Sequence, residues 1–99
     1  KNMKKFSQEL YMSVTDIKKL VKNGMYVGSH GYKHLWLNRN KKSEQSKDIK
    51  LSKKFLKKVG AYNKNWIMCY PYGGFNKDTL KILKSISICL FFLPNFKIF

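Results

Sequence analysis

The sequence predicts an α/β chain built on parallel strands, and two observations carry that expectation. Stretches with helical and strand-like patterning alternate through the 99 residues as helix, strand, helix, strand, helix, strand. Both clusters of residues able to do chemistry fall directly after a predicted strand. In parallel α/β proteins, functional groups gather at those carboxyl ends.

The first dozen residues show no clear period and are left unassigned. From Thr15 the pattern sharpens: Thr15 or Ser13 can accept backbone N–H bonds at a helix start, and Asp16 suits the positive end of the helix dipole. Ile17, Leu20 and Val21 share one face with lysines opposite, and Asn23-Gly24 supplies a left-handed stop. Met25 to Ser29 reads as a short strand. A polar loop, about Leu37 to Lys42, leads to a helix starting near Ser43, with Ile49, Phe55, Leu56 and Val59 as its buried stripe and Gly60 at its end.

Trp66 to Tyr70 is an almost uninterrupted apolar run, expected of a strand covered on both faces. Pro71 closes it, because proline cannot donate to a sheet ladder. Asn76 caps a third helix with Leu80 and Leu83 facing inward, and Ile86 to Leu93 offers a last strand. Three such strands form an open slab whose edges favour association.

Twenty-one basic residues against five acidic ones give a formal net charge of +16. That balance raises nucleic acid or an anionic surface as partners. Arg39, however, is the sole arginine, and base-reading sites favour the planar guanidinium fork. Nucleic acid is therefore not the expected partner. Cys69 and Cys89 are too few for a disulfide framework and form no CxxC pair; free thiols in a reducing compartment such as the cytoplasm are the plain reading. The apolar tail is broken by Pro94 and Lys97 and falls short of the roughly 20 residues that span a bilayer. Oligomeric state is not encoded in any pattern here.

His30 and His34, the two histidines of the chain, stand four apart just beyond the first strand. If that loop opens into a helical turn, both rings face one side and make a common half-site for zinc or a similar ion. The plain alternative is two polar loop residues. Tyr70-Pro71-Tyr72-Gly73-Gly74 reads as a strand end and turn. Its functional reading is a set of backbone donors, that of Tyr72 above all, able to stabilise an oxyanion.

Together, Ser-His-Gly-Tyr-Lys-His (Ser29 to His34) and Cys-Tyr-Pro-Tyr-Gly-Gly (Cys69 to Gly74) resemble two motifs of polysaccharide deacetylases, in the right order and with a lysine-rich helix between them. The resemblance covers roughly residues 13 to 85. It implies a partial (β/α) barrel of the glycoside hydrolase/deacetylase type, about three βα units, in an incomplete (NodB-like) domain over residues 1–85. Residues 86–99 form an apolar tail, either a divergent buried strand or the product of a shifted reading frame. The implied activity is metal-dependent removal of acetyl groups from a carbohydrate. His30 and His34 would be metal ligands, with zinc the implied ion. Tyr72 would give the oxyanion donor, and Pro71, Tyr72 and Gly73 would meet the substrate.

The sequence departs from the family in three places. No Asp-Asp pair supplies a base and third ligand, no histidine follows His34, and Cys69 stands where many members place arginine. These departures predict a chain without turnover of its own. The rival readings are a non-catalytic remnant or interaction module, and a basic binder of nucleic acid or anionic surfaces.

Overall fold

The computed structural model describes residues 3–61 and 66–86 and the strand at 91–92. Helices α1 (Met3–Leu10), α2 (Val14–Lys22), α3 (Lys42–Lys58) and α4 (Lys77–Ile86) accompany strands β1 (Ile67–Met68) and β2 (Phe91–Phe92). β1 and β2 pair in parallel, with Ile67 opposite Phe91 and Met68 opposite Phe92. A parallel bridge joins Ser29 to Met68 on the other side of β1. The chain thus runs strand–helix–strand in the expected sense, with α3 crossing between Ser29 and β1, and α4 between β1 and β2. Among the described residues no barrel closes.

The strands are shorter than their patterning suggested. Met25 to Ser29 contributes one bridge residue instead of a strand, and a side chain explains why. Ser29 N–H donates to the Ile67 carbonyl and Cys69 N–H to the Ser29 carbonyl, both at 2.9 Å. The next rung is taken over by Tyr26, whose phenol oxygen accepts the Ile67 N–H at 2.7 Å. Trp66 to Tyr70 is also not covered on both faces. Trp66, Met68 and Tyr70 are buried while Ile67 and Cys69 are half-buried, the alternation of a one-sided strand. Of the predicted last strand, Phe91–Phe92 is observed, Ile86 ends α4, and the remainder lies outside the described residues.

The helix ends follow local rules. Ser13, not Thr15, caps α2: its hydroxyl accepts the Asp16 N–H at 3.1 Å, and the Asp16 carboxylate accepts the Ser13 N–H at 2.9 Å. The Ser13 backbone N–H first, and the Ser13 hydroxyl second, hold the Asp16 carboxyl below the usual carboxylate range. Asn76 caps α4 by accepting the Thr79 N–H at 3.1 Å. α3 stops at Gly60, whose φ of +79° lets the Ala61 N–H reach back to the Leu56 carbonyl.

The core gathers Leu37, Ile49, Leu56, Trp66, Met68, Tyr70, Ile82 and Leu83. Ile49, Leu56 and Val59 of the predicted stripe are buried, whereas Phe55 is half-buried. Ile17, Leu20 and Val21 are likewise half-buried, and α2 has no buried residue. On α4, Ile82 joins Leu83 inside while Leu80 stays half-buried. The unassigned opening is α1, with Met3, Phe6 and Leu10 all exposed.

α3 also buries Gln45, Asp48 and Ser52, which an apolar periodicity does not mark. Gln45 pegs α3 to α4. Its amide oxygen accepts from Thr79 Oγ1 at 2.5 Å, and its nitrogen donates to the Asn40 carbonyl at 3.0 Å and to Asn76 Oδ1 at 3.3 Å. No helix among the described residues is long and apolar enough to cross a membrane.

Candidate metal-binding and oxyanion site

Just past the Ser29 bridge, the half-buried His30 ring is anchored from behind. Its Nδ1 lies 2.9 Å from the Cys69 carbonyl oxygen. A carbonyl only accepts, so Nδ1 carries the hydrogen and Nε2 keeps its lone pair. That lone pair faces His34, whose Nε2 is 3.0 Å away, with the rings edge-on at 4.7 Å and 67°. Two nitrogens at tetrahedral positions about 2.0–2.1 Å from one ion stand about 3.3 Å apart, so the pair needs little movement to share one. A second-row bond fixing the tautomer of a ligating histidine is the usual companion of such a site.

The rings meet without the helical turn that their spacing suggested. Gly31 and His34 both have positive φ, +80° and +57°, and fold the loop back on itself. Side chains of α3 fasten it. Asp48, 2% exposed, accepts the Tyr32 N–H through Oδ2 at 2.9 Å and the Lys33 N–H through Oδ1 at 2.8 Å. One turn further along, Ser52 Oγ lies 2.5 Å from Ser29 Oγ, which accepts the Gly31 N–H at 3.1 Å.

The second motif packs directly against the first. Pro71–Gly73 makes a tight turn in which Tyr72 takes φ 59° and ψ 12°, an expensive conformation for a residue with a side chain. Its exposed ring meets His34 edge-on at 4.9 Å and stacks on Trp36 at 4.6 Å and 19°. Arg39 lies 3.7 Å over the Trp36 ring. Gly74 makes room for this stack: a Cβ there would come within 2.7 Å of Trp36 Cδ1. The Tyr72 N–H has no partner among the described residues. Pro71 is fully buried, and Gly73 is exposed with φ +69°.

All of His30, His34, Pro71, Tyr72 and Gly73 therefore come into one neighbourhood. Cys69 contributes its carbonyl there, and its half-buried thiol is free. Among the described residues no group of three His, Cys, Asp or Glu could hold a metal. The histidine pair fits two positions of an ion. Asp48, the carboxylate held against this loop, is committed to backbone N–H groups.

Sequence reasoning missed Trp36, Arg39, Asp48 and Ser52. A signal existed for the last two: Gln45, Asp48 and Ser52 recur at helical spacing along a lysine-rich helix, marking a polar stripe with a partner to satisfy. A family model described as polysaccharide deacetylase matches residues 5–89. No curated protein and no solved structure matches the chain.

Proposed function

The chain belongs to the polysaccharide deacetylase family, and on that premise we propose that the His30–His34–Tyr72 neighbourhood is a carbohydrate deacetylase site within part of a (β/α) barrel. The observation that carries the reading is the convergence of two imidazole Nε2 atoms at 3.0 Å, one with its tautomer set by a backbone carbonyl, beside the strained turn of Tyr72.

In this reading His30 and His34 take two positions of a divalent ion, zinc being the one that two imidazoles suit. Such an ion supplies Lewis-acid polarisation of an acetyl carbonyl and a more acidic water. The chain's own residues do the rest of what is available here. The unpartnered Tyr72 N–H donates to the oxygen on which charge develops, and removing one such donor typically costs about 10²–10³ in turnover. The exposed Tyr72 ring and Gly73 border the carbohydrate, while buried Pro71 shapes the turn. No described residue takes the part of general base or general acid, groups that typically contribute about 10²–10⁴-fold each. The 99-residue chain is therefore expected to bind the ion without measurable deacetylation.

A non-catalytic remnant is the second reading, favoured by the lack of a third ligand among the described residues. Calorimetric titration of zinc into wild type, His30→Ala, His34→Ala and Cys69→Ala separates the two. The proposal expects weak binding that either histidine variant abolishes and that Cys69→Ala retains. Equal affinity in all four proteins would leave the histidines as ordinary loop residues.

A further inference from the structure

We propose that Asp48 is the positioning residue of the histidine pair: its carboxylate, reaching from α3, sets the loop conformation that brings His30 Nε2 and His34 Nε2 together. Two consecutive N–H groups, of Tyr32 and Lys33, converge on the two oxygens of this one side chain. Those residues are the middle of the segment between the histidines. On either side of them stand its two positive-φ residues, Gly31 and His34. Asp48 thus grips the loop at its centre, while the bends that aim the rings lie next to the grip.

The energetics make the arrangement mutual. A carboxylate that is 2% exposed costs several kcal/mol to bury unless its charge is met by hydrogen bonds. Each Asp48 oxygen is met by a loop N–H, so any loop conformation that turns these amides away strands the charge. Successive backbone N–H groups wrapped around an anion form a nest, and here the anion is the protein's own. The fit is close: a Cβ added at Gly31 would lie 3.1 Å from Asp48 Oδ2, so the bend and the carboxylate share one space.

Ser52, four residues later on the same helix face, holds Ser29 and through it the Gly31 N–H. Two consecutive amides of the loop, 32 and 33, are thus held directly by α3, and the Gly31 N–H is held by Ser29, whose hydroxyl in turn meets Ser52 of α3. This places Asp48 outside any direct contact with the ion or substrate. Its effect runs through the rings.

The test uses the whole 99-residue chain with ¹⁵N-labelled histidine, comparing wild type with Asp48→Ala and Asp48→Asn. Circular dichroism gives helix content, long-range ¹⁵N NMR gives the His30 tautomer, and titration with zinc alone gives affinity. Expected is retained helix content, loss of the single Nδ1–H form of His30, and zinc affinity lower by about 10–100-fold, the usual cost of losing an outer-shell partner. Asparagine, with one accepting oxygen, should fall between wild type and alanine.

A purely structural Asp48 would lower stability and leave the tautomer and the affinity of the folded protein unchanged; that result overturns the proposal. Should Asp48→Ala not fold, Asp48→Asn decides by the same criterion. The second readout rests on the metal reading given above, the first does not. Wild type that binds no zinc, while the tautomer is lost in Asp48→Asn, would sink the metal reading and keep the positioning role.

Discussion

Replacing Gly28 by alanine puts a sign, and not merely a size, at stake. Gly28 is exposed. At an exposed site with compatible geometry, Gly→Ala stabilises by about 0.4–1 kcal/mol, because the unfolded chain loses freedom. Here the added Cβ would lie 2.9 Å from the Ile67 carbonyl oxygen, an atom of the backbone that cannot swing aside. That same oxygen accepts the Ser29 N–H, the rung that delivers His30 to the Cys69 carbonyl. Overpacking of this kind costs about 1–3 kcal/mol, and a strained or broken rung costs about 1 kcal/mol more. Set against the entropic gain, the net expectation is a loss of about 1–3 kcal/mol. Urea unfolding followed by circular dichroism should show the midpoint falling by roughly 0.5–3 M at a slope of about 1–2 kcal/mol/M. A variant as stable as wild type, or more so, would refute the clash and with it the role of this close approach in seating His30.

Ser13→Ala removes one half of the α2 capping box and should cost about 1 kcal/mol in the same assay, whereas Thr15→Ala should cost little. Gly74→Ala should unstack Trp36 from Tyr72, seen as a loss of near-ultraviolet circular dichroism; its cost should stay near 1 kcal/mol, because the opposing atoms are side chains of Trp36 and Asn38. Burial pushes the Tyr70 phenol up to about 12, with the charge of Cys69 as a second cause. A raised phenol contributes stability that is full below about pH 10, the unfolded value, and is lost as pH climbs through 12. The stability difference between wild type and Tyr70→Phe should therefore be flat below pH 10 and shrink between pH 10 and 12.

What the sequence made legible was local chemistry. The stops at Asn23-Gly24 and Gly60 and the cap at Asn76 depend on residues within one turn of each other, and each appears where its residues predict it, whereas the strand expected to run to Pro71 already ends at Met68. The nearness of the two histidines was legible in part: a spacing of four in a short loop allows their rings to meet, at 3.0 Å between Nε2 atoms, although not through the helical turn expected. What stayed hidden depends on distant partners. Tyr26 cuts short the first strand by offering its phenol to Ile67, 41 residues away. Asp48 lies on a lysine-rich helix, and the amides that meet its buried carboxylate come from a loop 16 and 15 residues earlier. Trp36 precedes the polar loop and carries no pattern of its own, and only the approach of Tyr72 makes it half of a stack.

The α3 helix has a consequence for which lengths of chain are tolerable. Gln45, Asp48 and Ser52 each have a fixed appointment: the first with Thr79 on α4, the others with the histidine loop. A helix advances about 100° and 1.5 Å per residue. Deleting or inserting a single residue between 45 and 48 would turn one set of appointments away from its partners while leaving the other in place, and a change between 48 and 52 would part Asp48 from Ser52. Four exposed lysines on that helix, Lys47, Lys50, Lys54 and Lys58, have no such phase to keep and are free to be exchanged. A change of length after Ser52 shifts neither set relative to the other. Along this helix the reading frame of the backbone matters more than the identity of most of its side chains.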